Sequence, residues 1–297
     1  MLMDGLPAYE GILIRPPSEA DSLIFQVTLG CSDNNCTFCP AYKKKKFKVK
    51  DIQDIEEDMR KCSPSHKDTR KIFLADGDAM VISQEKLAEV LILAGKYFPS
   101  LKRAGIYASP KSLNKKTVKG LVELKKLKLG IIYLGIETGD EDVYRSIRKW
   151  GSPEKTVEES LKIKQAGIKL NTTIILGLGG VTRSREHAFN TSSVINRVQP
   201  DHVAALTLMA VKGTEIFDLM KKGGFVLPDR IGMVRELYEL IDNLDDFKCL
   251  FFSNHASNYF PVQGRFPRDK SKILAELKKI LESGDGSELR EEYMRGL

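Results

Sequence analysis

The sequence predicts an α/β fold: a partial (β/α)6 barrel with a mainly helical C-terminal extension. Three observations carry this expectation. Six short apolar runs rich in β-forming residues alternate with helix-patterned stretches. Each run ends in a cluster drawn from Cys, Gly, Asp, Glu, Ser and Thr, and functional residues of parallel sheets gather at such strand ends. The alternation stops near residue 215. Repeated β–α units with short connections imply a parallel sheet with right-handed crossovers. Six units do not close an eight-stranded barrel, so the sheet stays open.

In chain order, Arg15-Pro16-Pro17 forces an extended entry before the first strand, 23–29. A loop with three cysteines follows. A helix is expected at 52–62, then a strand at 71–75 ending in Asp76-Gly77-Asp78. Ser83 caps a helix at 84–98. The third strand, 104–108, ends at Ser109-Pro110, and a helix follows at 115–127. The fourth, 131–136, ends in Glu137-Thr138-Gly139 and leads to helices at 141–149 and 154–166. The fifth, 168–176, ends in Gly177-Leu178-Gly179-Gly180, with a helix at 184–198. The sixth, 202–208, ends in the stretch from Met209 to Thr214. Beyond it, helices are expected at 216–222, 230–244 and 270–282, with one short strand at 250–252. The expected domains are therefore 1–215, the core, and 216–297, a cover on the substrate side.

Composition fits a folded α/β chain: 297 residues, 42% hydrophobic and 29% charged. No apolar run reaches the roughly 18–20 residues of a membrane span. The first residues lack the basic flank and apolar core of a signal peptide. With five cysteines, an odd number, this suggests a reducing cytoplasm rather than a disulfide scaffold. The net charge is +7, which suits an anionic partner. No nucleic-acid module is visible, so nucleic acid is the less favoured partner.

The chemistry centres on CSDNNCTFC. Cys31, Cys36 and Cys39 are soft ligands on one loop, which points to iron–sulfur or zinc. Zinc prefers four ligands, usually in two separated pairs. Three thiolates on a [4Fe–4S] cluster leave one iron open to a small molecule. Cys62 and Cys249 stand alone and read as buried, inert thiols. Residues 253–259, SNHASNY, hold His255, Asn258 and Tyr259. They read either as a hydrogen-bonded loop or as groups that pass a proton or hydrogen to the substrate. Lys43 to Lys46 directly follow the cysteine loop and read as solvated surface, a reductase docking patch or a grip on an anion.

These motifs resemble the radical S-adenosylmethionine (SAM) superfamily, in the branch of coproporphyrinogen dehydrogenase, methylthiotransferase and elongator-type proteins. The superfamily pattern is C-x-x-x-C-x-aromatic-C; this chain has one more residue in the first gap, with Phe38 at the aromatic position. The resemblance implies a [4Fe–4S] cluster on Cys31, Cys36 and Cys39, and S-adenosyl-L-methionine as cofactor. It implies that Gly77 and Asp78 bind the methionine ammonium and that Glu137 contacts the cofactor. It implies that the turn at Gly177 packs by the adenine; where the superfamily often has Glu, this chain has Gly180. Ser109, Asn171 and Met209 complete the expected cofactor set. The implied chemistry is reductive cleavage to a 5′-deoxyadenosyl radical that abstracts hydrogen from substrate. A flavodoxin- or ferredoxin-type electron donor is implied too. The competing expectation is a zinc-stabilised RNA-binding protein without radical chemistry.

Overall fold

A computed structural model describes residues 6–296. In chain order the elements are β1 (Leu23–Gln26), β2 (Thr28–Leu29), β3 (Lys48–Val49), α1 (Ile52–Cys62), β4 (Lys71–Ala75), α2 (Gln84–Tyr97), β5 (Arg103–Ala108), α3 (Pro110–Leu113), α4 (Val118–Lys126) and β6 (Leu129–Glu137). They continue as α5 (Glu141–Ser146), α6 (Pro153–Gln165), β7 (Lys169–Leu176), α7 (Gly180–Val198), β8 (His202–Thr207), α8 (Glu215–Lys221), α9 (Arg230–Asp242), β9 (Cys249–Ser253), β10 (Val262–Phe266) and α10 (Lys270–Ser283). The main sheet has the order β1-β4-β5-β6-β7-β8-β9-β10. This is the expected open, mostly parallel α/β sheet. No described helix is long and apolar enough to cross a membrane.

By packing, the chain forms two units. The first holds the chain up to Asn34, Ala41–Leu134 and Glu159–Leu170. Here β1, β4 and β5 pair in parallel. β4 is buried at four successive positions, because a parallel strand covered on both faces needs apolar residues on both. Ile24, Phe73, Ala75, Ile131 and Tyr133 form its core, with Phe73 edge-on to Tyr107 at 4.8 Å. Each large side chain buried this way contributes about 1.5–3 kcal/mol. Helix α2 starts where Ser83 Oγ accepts the Lys86 N–H, and it buries Leu87, Val90, Leu91 and Ala94 on one face.

The second unit holds Asn35–Pro40, Gly135–Glu158 and the chain from Asn171 on. Strands β7, β8 and β9 run parallel, and β10 returns antiparallel to β9. Val143, Ile147, Leu178, Leu208 and Ile216 form a core against which Phe38 packs.

Three local differences from the sequence reading have physical causes. The run 23–29 divides at Val27: β1 joins the main sheet, whereas Thr28 and Leu29 pair antiparallel with β3. The helix expected at 115–127 begins at Val118, because Thr117 caps it by accepting the Gly120 N–H. After α9, β10 as well as β9 joins the sheet, so two strands stand where the sequence suggested one.

Candidate active site

In the first unit, the residues after β1, β4 and β5 meet. Asp78 is fully buried. Its carboxyl group accepts Ser32 Oγ at 2.6 Å, Ser109 Oγ at 2.8 Å and the Ser109 N–H at 3.0 Å. Ser32 adjoins Cys31, so Asp78 ties the cysteine loop to the β4 and β5 ends. Between them sits Gly77. A Cβ there would stand 2.9 Å from Cys31 Cβ and 2.6 Å from the Tyr42 ring, so only glycine leaves the backbone this close to Cys31. Asp76 is the anchor below. It accepts the Gly30 N–H at 3.1 Å, Lys45 Nζ at 3.0 Å and Gln26 Nε2 at 3.2 Å. Burial first, then the adjacent Asp76, push the Tyr42 hydroxyl far above its ordinary range and keep it protonated.

In the second unit, Glu137 ends β6 in the left-handed region, at φ 67°. That backbone folds its side chain over Gly135, where a Cβ would stand 2.1 Å from Oε1. Lys149 Nζ pairs with Glu137 Oε1 at 3.3 Å, and both side chains are largely buried. Burial alone would lower the Lys149 pKa. Glu137, Cys36 and Tyr144 outweigh it and raise the value, so the ammonium stays charged. Phe38 packs on Ile147 and Ile216 and their neighbours. The flanking Thr37 fixes the strand of loop between the cysteines: its N–H donates to Ile147 O, and its carbonyl accepts the Ile216 N–H.

Gly177, at φ 87°, ends β7 in a turn that a side chain would fill against Met233. Its N–H donates to Glu236 Oε1 at 2.7 Å. The same carboxyl group takes His187 Nδ1 at 2.9 Å and Ser184 Oγ at 2.5 Å. Glu236 lies on α9, far along the chain, and is fully buried. It supplies a carboxyl group to the turn whose own sequence has Gly180.

The sequence profile of the radical SAM superfamily matches residues 25–191. This chain belongs to the radical SAM superfamily. A curated relative from Methanocaldococcus jannaschii, provisionally named a methylthiotransferase, is 22% identical over 200 residues, which is 64% of this chain and 42% of the relative. Archaeal Elp3 from Methanocaldococcus infernus is similar in structure, with TM-score 0.53, 13% identity, and coverage of 78% of this chain and 60% of that one. Coproporphyrinogen III oxidase from Escherichia coli, a radical SAM enzyme, matches with TM-score 0.53, 14% identity, and coverage of 72% and 50%. The chain thus spans about half the length of the relatives it matches. The matches bear out the resemblance to this branch and give nothing to the zinc-stabilised RNA-binding alternative.

Radical SAM proteins bind a [4Fe–4S] cluster and S-adenosylmethionine. The donor set here fits that pair. Cys31, Cys36 and Cys39 are all partly exposed, and soft thiolates are the ligands such a cluster takes. Glycine leaves space beside Cys31, and a buried ammonium stands by Cys36. Among the described residues no three His, Cys, Asp or Glu side chains converge to hold one metal ion. A cubane cluster takes each cysteine at a different iron, so its thiolates need not converge on a point. Cys62 and Cys249 are buried, as expected. Burial, then Asp58, pushes the Cys62 thiol up to about 11, and burial pushes Cys249 up to about 12.

Other expected site residues of this radical SAM protein stand apart. Asn171 lies near the start of β7, paired across from His202, the first residue of β8. It is therefore at the amino end of the strand, not at the carboxyl end where a cofactor residue belongs. Met209 is half-buried just after β8. Asn258 is buried and braces that strand: it accepts Thr207 Oγ1 at 2.8 Å and donates to Ala205 O at 2.9 Å. Tyr259 donates to Glu292 at 2.5 Å and accepts Arg295 Nη1 at 2.7 Å. The backbone carbonyls of this loop form a socket for the chain's tail. Arg290 donates to Ala256 O and Asn258 O. Arg295 donates to Ser257 O at 2.7 Å and reaches Leu208 O, at the β8 end, at 2.8 Å. His255 bonds Ser257 through Nδ1. Burial, then the Arg290 charge, lowers its pKa and favours the neutral ring.

Sequence reasoning missed Lys149 and Glu236. Lys149 sits in the mixed string SIRKW, where only tertiary packing reveals its burial. Glu236 carries a weak signal: it falls on the apolar face of α9, with Met233, Leu237 and Leu240, where a lone acid calls for a partner.

Proposed function

We propose that this chain cleaves S-adenosylmethionine reductively at a [4Fe–4S] cluster held by Cys31, Cys36 and Cys39. The reading rests on one observation above the others: the three-thiol loop comes just after β1 and β2, inside the matched segment 25–191. When bound, the cluster and cofactor would supply one-electron chemistry that ends in removal of a hydrogen atom from the substrate.

The chain's own residues bind, orient and shield. Gly77 and Asp78 offer the methionine ammonium a backbone turn and a buried acid. Lys149 holds Glu137 as a charged, buried partner. Glu137, held by Lys149, and the turn at Gly177 would hold the nucleoside part of the cofactor. Phe38 closes the cluster loop against apolar side chains and keeps water out. Ser109 orients Asp78, and Met209 lines the β8 end. In the 253–259 loop, His255 is the candidate to move a proton at Nε2, since Ser257 fixes Nδ1. Asn258 and Tyr259 position that loop.

The electron comes from a flavodoxin- or ferredoxin-type donor in a reducing cytoplasm, and the net charge of +7 supports an anionic substrate. The test is anaerobic reconstitution with iron and sulfide. Expected are about four irons per chain and formation of 5′-deoxyadenosine from S-adenosylmethionine with dithionite. Full cluster loading without 5′-deoxyadenosine would overturn the catalytic reading.

A further inference from the structure

Two features remain unexplained: the extra residue in the first cysteine gap and the lysine run behind it. The first unit joins them. Asn34, in the longer gap, donates through Nδ2 to Tyr42 O at 2.6 Å, and its carbonyl accepts Lys43 Nζ at 3.0 Å. Asp33, beside it, is buried and pairs with Lys111 at 3.3 Å. Behind the loop, Lys45 O lies 3.3 Å from where a Cβ of Gly30 would stand, one residue before Cys31. The lysine segment is therefore fastened along the outside of the cysteine loop.

Its inward residues are committed. Tyr42 is buried, and Lys45 Nζ bonds Asp76 and Ile12 O. Lys43, Lys44, Lys46 and Lys48 are exposed. Beside them a cavity of about 640 Å³ is lined by Lys45, Lys46, Lys48 and Phe47, with Glu10 as its acidic member. The cavity lies by β2 and the segment that covers β1, the edge strand of the sheet. The exposed cations thus lie on a segment fastened to the loop that carries Cys31, through Lys43 to Asn34 O and through Lys45 beside Gly30.

We propose that Lys43–Lys48 is the docking surface for an acidic one-electron carrier protein of flavin or iron–sulfur type. This rests on the proposed function, since only a cluster on Cys31 gives such a carrier something to reduce. In the step, the reduced carrier loses one electron and the oxidised cluster gains it; no atom or proton is transferred. Charge complementarity explains the site: opposite surface charge raises encounter rates by about 10- to 1,000-fold and fixes orientation, more than it adds to final affinity. A nucleic-acid surface would use the same cations, but Tyr42 is buried and Phe47 half-buried, so the run presents few exposed rings for base stacking.

The test compares wild type with the Lys44→Glu/Lys46→Glu double variant, both exposed sites. Reconstituted protein is mixed with a reduced acidic flavodoxin, or a reduced ferredoxin, and cluster bleaching is followed by stopped flow at low and high salt. Carrier binding to the same proteins is measured by calorimetry. At low salt the double variant is expected to be reduced at least about tenfold more slowly and to bind more weakly. High salt should erase the difference, and reduction by dithionite should be unchanged. Equal carrier-driven rates overturn the proposal, as does a wild type that neither carrier reduces or binds. So does a variant that loses dithionite-driven turnover equally, which would make the lysines a substrate grip. Loss of RNA binding with unchanged carrier reduction would mark a nucleic-acid surface instead. If wild type forms no 5′-deoxyadenosine with dithionite, the functional reading fails, while carrier binding and its salt dependence still decide the surface.

Discussion

Glu236→Ala tests whether α9 holds the turn after β7. The carboxyl group takes three donors: Gly177 N–H at 2.7 Å, His187 Nδ1 at 2.9 Å and Ser184 Oγ at 2.5 Å. Ser184 is half-buried and can turn to water. Gly177 and His187 are buried and cannot. Each buried donor left unpaired costs about 1–3 kcal/mol. Two of them, plus the void left by the side chain, give a loss of about 3–5 kcal/mol, the range for breaking a buried polar pair. Glu236→Gln keeps one oxygen for Gly177 and His187, and its amide can donate to Ser184, so it should cost no more than about 1 kcal/mol. Urea unfolding measures both. Hydrogen exchange at the Gly177 amide should be slow in wild type and the Gln variant and fast in the Ala variant. An Ala variant within about 1 kcal/mol of wild type, with slow Gly177 exchange, would refute the reasoning.

Three further outcomes are expected. Gly77→Ala puts a methyl group 2.6 Å from the Tyr42 ring and 2.9 Å from Cys31 Cβ; overpacking of about 1–3 kcal/mol should lower iron content after reconstitution, and wild-type iron content would refute it. Lys149→Met leaves Glu137 without its buried partner and removes a charged hydrogen bond worth about 1.5–3 kcal/mol. S-adenosylmethionine should then bind roughly 10- to 100-fold more weakly to a protein with an unchanged cluster spectrum, and a Kd within twofold of wild type counts against this role. The lowered His255 pKa predicts a pH effect on stability. The unfolded chain takes up the proton first, near its ordinary pKa of about 6.5, so stability is full above that pH and falls as pH drops toward the folded value. Denaturation between about pH 7 and 5 should show that slope in wild type and a flatter one in His255→Asn; equal slopes exclude the histidine.

The strands of the core were legible because each is a short run of β-formers closed by a turn residue. β4 and β7 are the clearest, KIFLA and KLNTTIIL, ending at Asp76-Gly77-Asp78 and at Gly177. β10 was not legible: VQGRF buries only Val262 and Phe266, with glycine between them, so five residues carry too little apolar signal to read as a strand. The positions of Cys31 and Asp78, just past β2 and β4, were legible from residue type and from the turn residues around them. Lys149 was not, since a lysine beside Arg148 becomes a buried cation only when Glu137 and Cys36 fold against it. Asn171 misled for the opposite reason. It is a polar residue in an apolar strand, but its place at the amino end gives it a strand neighbour, His202, instead of a ligand.

The socket for the two tail arginines has a consequence for how this region can vary. Arg290 and Arg295 are read largely by main-chain oxygens, those of Leu208, Ala256, Ser257 and Asn258. Any side chain that keeps the same backbone path presents the same oxygens. Selection therefore falls unevenly on the two halves of the contact. The loop can change its side chains at positions such as Ala256 while still gripping the tail, whereas the tail has no substitute for a planar cation with several donors. Among sequences that share this architecture, the arginines should persist where the loop's letters drift. A tail lacking them should coincide with a loop of different length, and not merely of different composition.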